Sequence, residues 1–236
     1  MTLTLGKAAH PSQAFITDPK VSGLDFGHDA DTGECLSLDP RAGHLLVVGA
    51  AGRGATQTLL RIARSAINDA IAVHVIGARA EREYAAIAHR VASIADTPFR
   101  ITRLLDELSF DLPDPISEPL ASELPPAHTL LIFDNEHVLL DLAGTEAALN
   151  FQRLVRRGRE IGVIIAAASH HLPILTRDGM TVSDFAHTLH LGPPTPNAKQ
   201  LLFGEKTLPY SSQKPGYGHF NCRTGIHYAR IHPGEA

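Results

Sequence analysis

Residues 49–56, with the sequence GAAGRGAT, carry the spacing of a loop that binds phosphate groups. In the pattern G-x-x-x-x-G-K-[S/T], Gly49, Gly54 and Thr56 are in register, and Ala55 occupies the position of the lysine. Glycines let backbone N–H groups surround a phosphate because no Cβ intrudes, and a helix that starts there adds its positive end. A glycine-rich turn without a ligand is the alternative interpretation. The phosphate-binding residues predicted on this basis are Gly49, Gly52, Arg53, Gly54, Ala55 and Thr56.

Two side chains of this loop bear on its chemistry. The hydroxyl of Thr56 can occupy a coordination position of Mg²⁺. Ala55 removes the positive charge that a lysine places on the outer phosphates of a nucleotide. Arg53 lies two residues before that position, and its guanidinium is a planar fork, so we do not expect it to be equivalent to the lysine.

Acidic residues follow a second apolar run, LLIF, which ends in Asp134-Asn135-Glu136. Proteins that hydrolyse nucleotides use such acids to hold Mg²⁺ and to polarise water. We predict that Asp134 holds Mg²⁺ together with Thr56, and that Glu136, one residue beyond an adjacent acidic pair, is a weaker candidate for the water site. The alternative for Asp134 is an N-cap of a helix, which aspartate commonly provides.

The elements that must position these residues follow from the apolar pattern. Short apolar runs at 44–50, 71–77, 128–137 and 162–171 alternate with segments of helical spacing, which include 81–95 and 144–160. Such alternation predicts an α/β fold with a mostly parallel sheet and helices on both faces. Ligands of such sheets lie at the carboxyl ends of the strands.

The two ends of the chain differ from this core. Residues 1–43 are predicted to form a β extension that packs on the core, with a hairpin turn at Asp31–Gly33, and residues 44–236 form the core itself. The tail 216–231 is predicted to be a second hairpin, which turns through Arg223–Gly225. A segment rich in proline and acidic residues, 111–126, is expected to be a surface connection.

Composition restricts the class of protein. The chain of 236 residues is 44% hydrophobic and 19% charged with a formal net charge of −4, which excludes a disordered protein and disfavours binding of nucleic acid through bulk positive charge. The only cysteines are Cys35 and Cys222, and the first residues do not have the pattern of a signal peptide. We therefore expect a cytoplasmic protein.

Four further segments resemble the FtsK/HerA superfamily of ring-forming motor ATPases. RRGREIGVIIAAASH (156–170) is similar to the family's helix-to-strand segment R-x-G-R-x-x-G-I-H-L-I-L-A-T-Q. The lead-in GLDFG…LLVVGA, the segment FAHTLHLG…AKQLLFG and the late segment LP…KPGYGHF are similar to other family motifs in the same order. The resemblance extends from about Gly23 to Ile231. It implies a P-loop NTPase of the RecA/FtsK-like fold that uses ATP and Mg²⁺ and assembles into a homo-oligomeric ring, a hexamer.

The sequence departs from this family at two positions. Ala55 replaces the phosphate-loop lysine, and Ser169-His170 stands where the family has Thr-Gln, whose glutamine senses the terminal phosphate. The resemblance implies catalytic roles for Asp134, Glu136 and His170, and His170 can still donate a hydrogen bond from its ring. A histidine that merely ends a strand is the alternative. Without the lysine we predict weak ATP hydrolysis, whether Ala55 is natural or engineered.

Three functions are consistent with these features, and the third is a non-enzymatic interaction module that keeps the fold but binds neither nucleotide nor DNA. The first is an ATP-driven motor that translocates double-stranded DNA in conjugal plasmid transfer or chromosome partition. The alternative is a degenerate ATPase domain of the EccC kind in type VII secretion, which binds secreted protein substrate or regulates neighbouring ATPase domains. Contact with a membrane would come only through another domain or protein. Four arginines at the end of one predicted helix are more typical of helix-dipole stabilisation than of a finger that reaches a neighbouring subunit: Arg153, Arg156, Arg157 and Arg159.

Overall fold

The computed structural model describes residues 23–113, 123–134, 144–170, 181–204, 206–208 and 212–231, and it forms ten strands and five α-helices over these residues. The strands are β1 (Leu24–Asp29), β2 (Cys35–Leu38), β3 (Leu45–Gly49), β4 (Ala72–Ile76), β5 (Ser93–Ala95), β6 (Thr129–Asp134), β7 (Val163–Ser169), β8 (His187–Leu191), β9 (Tyr217–Cys222) and β10 (Gly225–Arg230). The helices are α1 (Ala55–Asn68), α2 (Ala80–Glu83), α3 (Pro98–Ser109), α4 (Glu146–Arg157) and α5 (Pro196–Phe203).

All ten strands belong to one sheet, in the order β2-β1-β10-β9-β8-β3-β7-β6-β4-β5. The six strands from β8 to β5 are parallel, and β9, β10, β1 and β2 extend the sheet in antiparallel fashion. Helices connect the parallel strands because a crossover is the only way to bring the chain back to the same edge. The predicted fold class, α/β with a mostly parallel sheet, is confirmed.

Hydrophobic cores lie on both faces of the sheet. On one face, α1 buries Leu59, Ile62 and Ala63 completely against the strands. On the other face, α3 and α4 cover the sheet, and the ring of Phe151 lies 4.7 Å from that of Phe133, centroid to centroid. No helix in the described part of the chain is long and apolar enough to span a bilayer.

The prediction of a helix over 81–95 is wrong. The chain forms the short helix α2, a 3₁₀ turn over Ala85–Arg90, and then the edge strand β5, which pairs with β4. Tyr84 interrupts the helical segment because its side chain is fully buried and its hydroxyl bonds to Asp134 on β6. The sequence patterns did not predict helix α5. It begins after Thr195, whose side-chain hydroxyl caps it by accepting the N–H of Ala198.

Both predicted hairpins occur and adjoin each other in the sheet. β1 and β2 turn through residues 30–33, where Oδ1 of Asp29 accepts the N–H groups of Asp31 and Thr32. β9 and β10 turn at Arg223 and Thr224. The first hairpin joins the sheet through the pairing of β1 with β10.

The burial of His44 should make the free energy of unfolding depend on pH. Burial, followed by the charge of Arg159, lowers its pKa from 6.5 to about 4, while its Nδ1 accepts the N–H of Ile165 at 3.0 Å. The unfolded chain therefore binds the proton first on acidification, and this residue removes up to about 3 kcal/mol from the free energy of unfolding between pH 6.5 and pH 4. Urea unfolding across that range should show a smaller loss for His44→Asn than for the parent chain.

Exposed His89 offers the matched control for this experiment. His89→Asn should leave the slope of stability against pH unchanged, because that side chain lies at the surface in the folded protein. Equal slopes for His44→Asn and the parent would contradict the assignment.

Candidate functional site

The predicted site residues meet at the carboxyl edge of three parallel strands. β7 lies between β3 and β6, with Ser169 opposite Val48 and Ala168 opposite Asp134. The loop after β3, Asp134 at the end of β6 and His170 after β7 therefore come together. This is the edge at which ligands of parallel sheets bind.

The loop of residues 50–54 requires glycine for two different reasons. A Cβ at Gly49 would lie 2.9 Å from Cβ of Leu191, so the close approach of β8 leaves no room for a side chain. Gly52 and Gly54 have φ values of 76° and 106°, in the left-handed region that favours glycine. Gly54 is also the N-cap of α1, and no side chain caps that helix. The first N–H groups of α1 thus remain available for an anion.

A cleft of about 230 Å³ lies beside this loop. It unites five of the residues predicted from the sequence: Gly52, Ala55, Thr56, Asp134 and His170. Glu136, the other predicted acid, lies outside the described residues. The complete lining is Ala51, Gly52, Ala55, Thr56, Arg79, Glu83, Asp134, Ala168, Ser169 and His170.

Asp134 is the electrostatic centre of the cleft. Only 8% of the residue is exposed, and Tyr84 donates its hydroxyl to Oδ2 at 3.0 Å. Burial raises the pKa of Asp134, and hydrogen bonds from Tyr84 and Thr56 offset that rise only in part. A buried carboxylate beside a hydroxyl is a set of oxygen ligands that suits Mg²⁺, and a cation there would favour the ionised form.

The turn after β4 supplies the cleft residues that the sequence reasoning missed. Gly77 permits the turn because a Cβ there would lie 2.4 Å from the carbonyl oxygen of Asp134. Arg79 and Glu83 follow this turn and line the cleft, and the hydroxyl of Tyr84 donates a hydrogen bond to Asp134. The sequence does contain one indication of them: they follow an apolar strand, β4, and so lie at the same edge of the sheet as the residues that follow β3, β6 and β7.

Arg53 points away from the cleft. Its guanidinium donates to the carbonyl of Gln213, and its own carbonyl accepts the N–H of Gly216 at 3.0 Å. The side chain passes close to Gly192 and lines a second cleft of about 340 Å³ on the other side of the loop. Arg53 thus ties the loop to the segment before β9.

The arginines at the end of α4 have structural contacts. Nε and Nη2 of Arg157 bind the two carboxylate oxygens of Glu160 at 2.7 and 2.8 Å, and both side chains are buried. Arg159 donates to the carbonyl of Arg41 at 2.6 Å. A buried, bidentate ion pair fixes Arg157 within its own subunit.

Replacement of Asp134 should stabilise the unliganded protein. The buried carboxylate with a raised pKa opposes folding at neutral pH, so Asp134→Asn should increase the free energy of unfolding by about 1 kcal/mol in the absence of divalent cations. The measurement is urea unfolding at pH 7 in the presence of a chelator. Exposed Asp111→Asn, the matched control, should change it by less than about 0.5 kcal/mol. A destabilised Asp134→Asn protein would contradict this assignment.

Comparison with known proteins identifies the fold. No protein-family model and no curated protein matches the chain. The cytoplasmic domain of the type VII secretion ATPase EccC from Thermomonospora curvata superposes with a TM-score of 0.67 and 18% identity, over 91% of this chain and 26% of that one.

Two further structures are similar to the chain. ATPases 2 and 3 of the same EccC, in complex with a signal sequence peptide, give a TM-score of 0.68 and 18% identity, over 91% of this chain and 41% of that one. The pCW3 conjugation coupling protein TcpA, in its monomer form with ATPγS, gives a TM-score of 0.66 and 14% identity, over 91% of this chain and 66% of that one. The chain thus spans well under half of either EccC structure. As its sequence motifs indicate, the chain has the fold of FtsK/HerA-type ATPase domains.

Proposed function

We propose that this chain is an FtsK/HerA-type ATPase domain that binds ATP with Mg²⁺ and hydrolyses it weakly. One observation carries the proposal: a single cleft contains the glycine loop, Thr56 and the buried Asp134, yet has Ala55 at the lysine position. Binding groups for phosphate and metal are thus present without the charge that stabilises the reacting phosphate.

Each residue of the cleft has a role in this proposal. Backbone N–H groups at Gly52, Gly54 and the start of α1 bind the phosphates, because the loop is open and the helix is uncapped. Thr56 and Asp134 hold Mg²⁺, which when bound neutralises charge on the outer phosphates. His170 lines the cleft and is our proposed contact for the terminal phosphate. Glu136 remains our predicted residue for positioning water, and Glu83 is a second carboxylate in the cleft.

Arg79 supplies positive charge that the loop lacks. It is exposed, lies in the same cleft as Ala55 and Thr56, and forms no ion pair with another residue of the described ranges. Arginine is the residue best suited to bidentate binding of phosphate. We propose that Arg79 partly compensates for the missing lysine during binding of ATP.

The second cleft is the proposed location of the ribose and base. It lies across the loop from the first and shares His170 with it. Leu191 and Ala198 provide apolar surface, and Thr195 and Asn197 provide polar groups. A few placed polar groups on an apolar wall are typical of sites that bind a heterocycle.

Titration of a fluorescent ATP analogue with Mg²⁺ tests the nucleotide site. Ala55→Lys should bind about tenfold more tightly than the parent, because one charge-assisted contact contributes about 1.5–3 kcal/mol. Arg79→Ala should weaken binding by about fivefold or more in the parent and by less in the Ala55→Lys background. Arg82→Ala is the matched control, since that neighbouring arginine is exposed and lies outside the cleft. Absence of binding by every variant would refute the assignment of the loop.

We further propose that the domain works on protein rather than on DNA, in the cytoplasm, next to other ATPase domains and with a membrane only through its partners. The net charge of −4 and the weakened phosphate loop favour a binding or regulatory role. The likeness to EccC, whose ATPases 2 and 3 form a complex with a signal sequence peptide, supports it. A secreted protein segment is the corresponding ligand.

The second candidate function is translocation of double-stranded DNA in plasmid transfer by a hexameric ring. The likeness to the conjugation coupling protein TcpA favours it. A DNA motor requires many contacts to phosphate, so its affinity for DNA falls steeply as salt rises.

Binding of labelled duplex DNA at increasing salt distinguishes these candidates. We expect the chain, with and without ATPγS, to bind duplex DNA more weakly than proteins that bind DNA non-specifically, whose dissociation constants are about 10⁻⁴–10⁻⁶ M at physiological salt. Sedimentation of the same samples measures ring formation. Tighter binding would instead support the DNA motor if the logarithm of the affinity falls steeply with the logarithm of the salt concentration, as release of several counterions requires, and if the chain sediments as a hexamer.

A further inference from the structure

A separate cavity lies near the amino-terminal end of β8, at the opposite end of the parallel strands from the phosphate loop. The antiparallel register of β8 with β9 and of β9 with β10 places Cys222 and Thr224 beyond the amino-terminal end of β8. The cavity has a volume of about 300 Å³. Its lining is Glu34, Cys35, Leu36, Ser37, Asp39, Ala42, His187, Phe220, Cys222, Arg223, Thr224 and His227.

Four side chains at this cavity form a continuous chain of hydrogen bonds. Sγ of Cys222 lies 3.0 Å from Oγ1 of Thr224, and that hydroxyl lies 3.1 Å from Nε2 of His227. Nδ1 of His227 lies 3.0 Å from Oδ2 of Asp29. The last contact joins residues 198 positions apart, and only the pairing of β1 with β10 brings them together.

Asp29 sets the direction of every bond in this chain. Burial alone would raise its pKa, but hydrogen bonds from the N–H of Asp31, from His227 and from the N–H of Thr32 outweigh burial, and the net pKa is lowered. An ionised carboxylate only accepts, so Nδ1 of His227 is the donor to Asp29, and in the neutral ring that tautomer makes Nε2 an acceptor. In that tautomer the hydroxyl of Thr224 donates to Nε2 and can accept the S–H of Cys222 at 3.0 Å, while the carbonyl oxygen of Gly225 is a longer acceptor for the same S–H at 3.6 Å.

The cavity also contains an unsatisfied polar group that indicates a ligand. His187 is 3% exposed and lies parallel to the ring of Phe220, 5.8 Å away. Its ring nitrogens make no hydrogen bond of good geometry with a described residue, and their contact with the backbone of Asp39 is a weak one. Buried polar groups rarely remain without partners unless a ligand, ion or water completes them.

Cys35 lines the same cavity and provides an internal comparison. Its Sγ lies 4.0 Å from the carbonyl of Leu36 and near the carboxylate of Asp25, and in the described structure it has no basic partner. Burial, together with the carboxylate of Asp25, raises the pKa of Cys35. The two thiols of the protein therefore share a cavity but differ in their route for releasing a proton.

We propose that Cys222 is a reactive thiol, activated through Thr224, His227 and Asp29, that forms mixed disulfides with small disulfides in this cavity. The S–H proton moves to Oγ1 of Thr224 as that hydroxyl gives its own proton to Nε2 of His227. The thiolate attacks one sulfur of the disulfide, a new S–S bond forms and the old one breaks. The departing thiolate takes the proton from His227. The disulfide is the oxidant, and no other reactant is needed.

The rate of reaction with a neutral dipyridyl disulfide tests this site in the full chain at pH 7. Cys35→Ser leaves only Cys222, and Cys222→Ser leaves only Cys35. We expect Cys222 to react about tenfold faster or more, because the hydrogen-bonded path to His227 accepts the S–H proton as the sulfur attacks. In urea the two rates should become equal. Equal rates in the folded protein would overturn the proposal.

Thr224 separates activation from simple accessibility. In the Cys35→Ser background, Thr224→Val should slow the reaction about tenfold, because it breaks the path to His227 without changing the size of the side chain. Thr224→Ser should restore the rate, since it keeps the hydroxyl. Unfolding in urea verifies that each variant is folded. A Thr224→Val protein that is folded and reacts at the parent rate would refute the role of the chain of hydrogen bonds. The phosphate cleft takes no part in this test.

Discussion

Burial of the Asp134 carboxylate constrains the whole carboxyl edge of the sheet. The residue ends a strand that is fully enclosed between β7 and β4, so its oxygens have access only to the cleft and to Tyr84. Gly77 must be glycine because the Asp134 backbone fills the space where a Cβ would lie. The turn that carries Arg79 and Glu83 is shaped by this same contact. A charge that is costly to bury thus fixes the surroundings in which a phosphate and a cation can be held.

In the proposed nucleotide cleft, the acidic and hydroxyl groups are present while the basic group of the loop is missing. Asp134 and Thr56 are in place, and the glycine loop keeps its left-handed residues. The lysine position holds alanine, and the arginine of the loop is committed to Gln213. Under the proposed function we therefore expect metal binding and phosphate transfer to be separable, since one depends on oxygen ligands and the other on positive charge at the reacting phosphate.

Apolar runs in the sequence were enough to predict the site residues that directly follow a strand. The loop, Asp134 and His170 each follow an apolar run, and parallel strands deliver such residues to one edge. Arg79 and Tyr84 were missed because the alanine-rich segment around them has helical propensity, and only pairing with β4 makes its end an edge strand. The contact between Asp29 and His227 depends on the register of two hairpins that are distant in sequence. No spacing within either segment encodes that register.

The double attachment of Arg53 has a consequence for communication within the domain. Its guanidinium and its carbonyl hold the segment from Gln213 to Gly216, which leads directly into β9 and so to the far hairpin. A ligand that reorganises the loop must strain or release these two bonds, and its binding energy is then partly expressed as a shift of the hairpin. Linkage is reciprocal, so a partner that holds the hairpin in one position changes the affinity of the loop by the same factor.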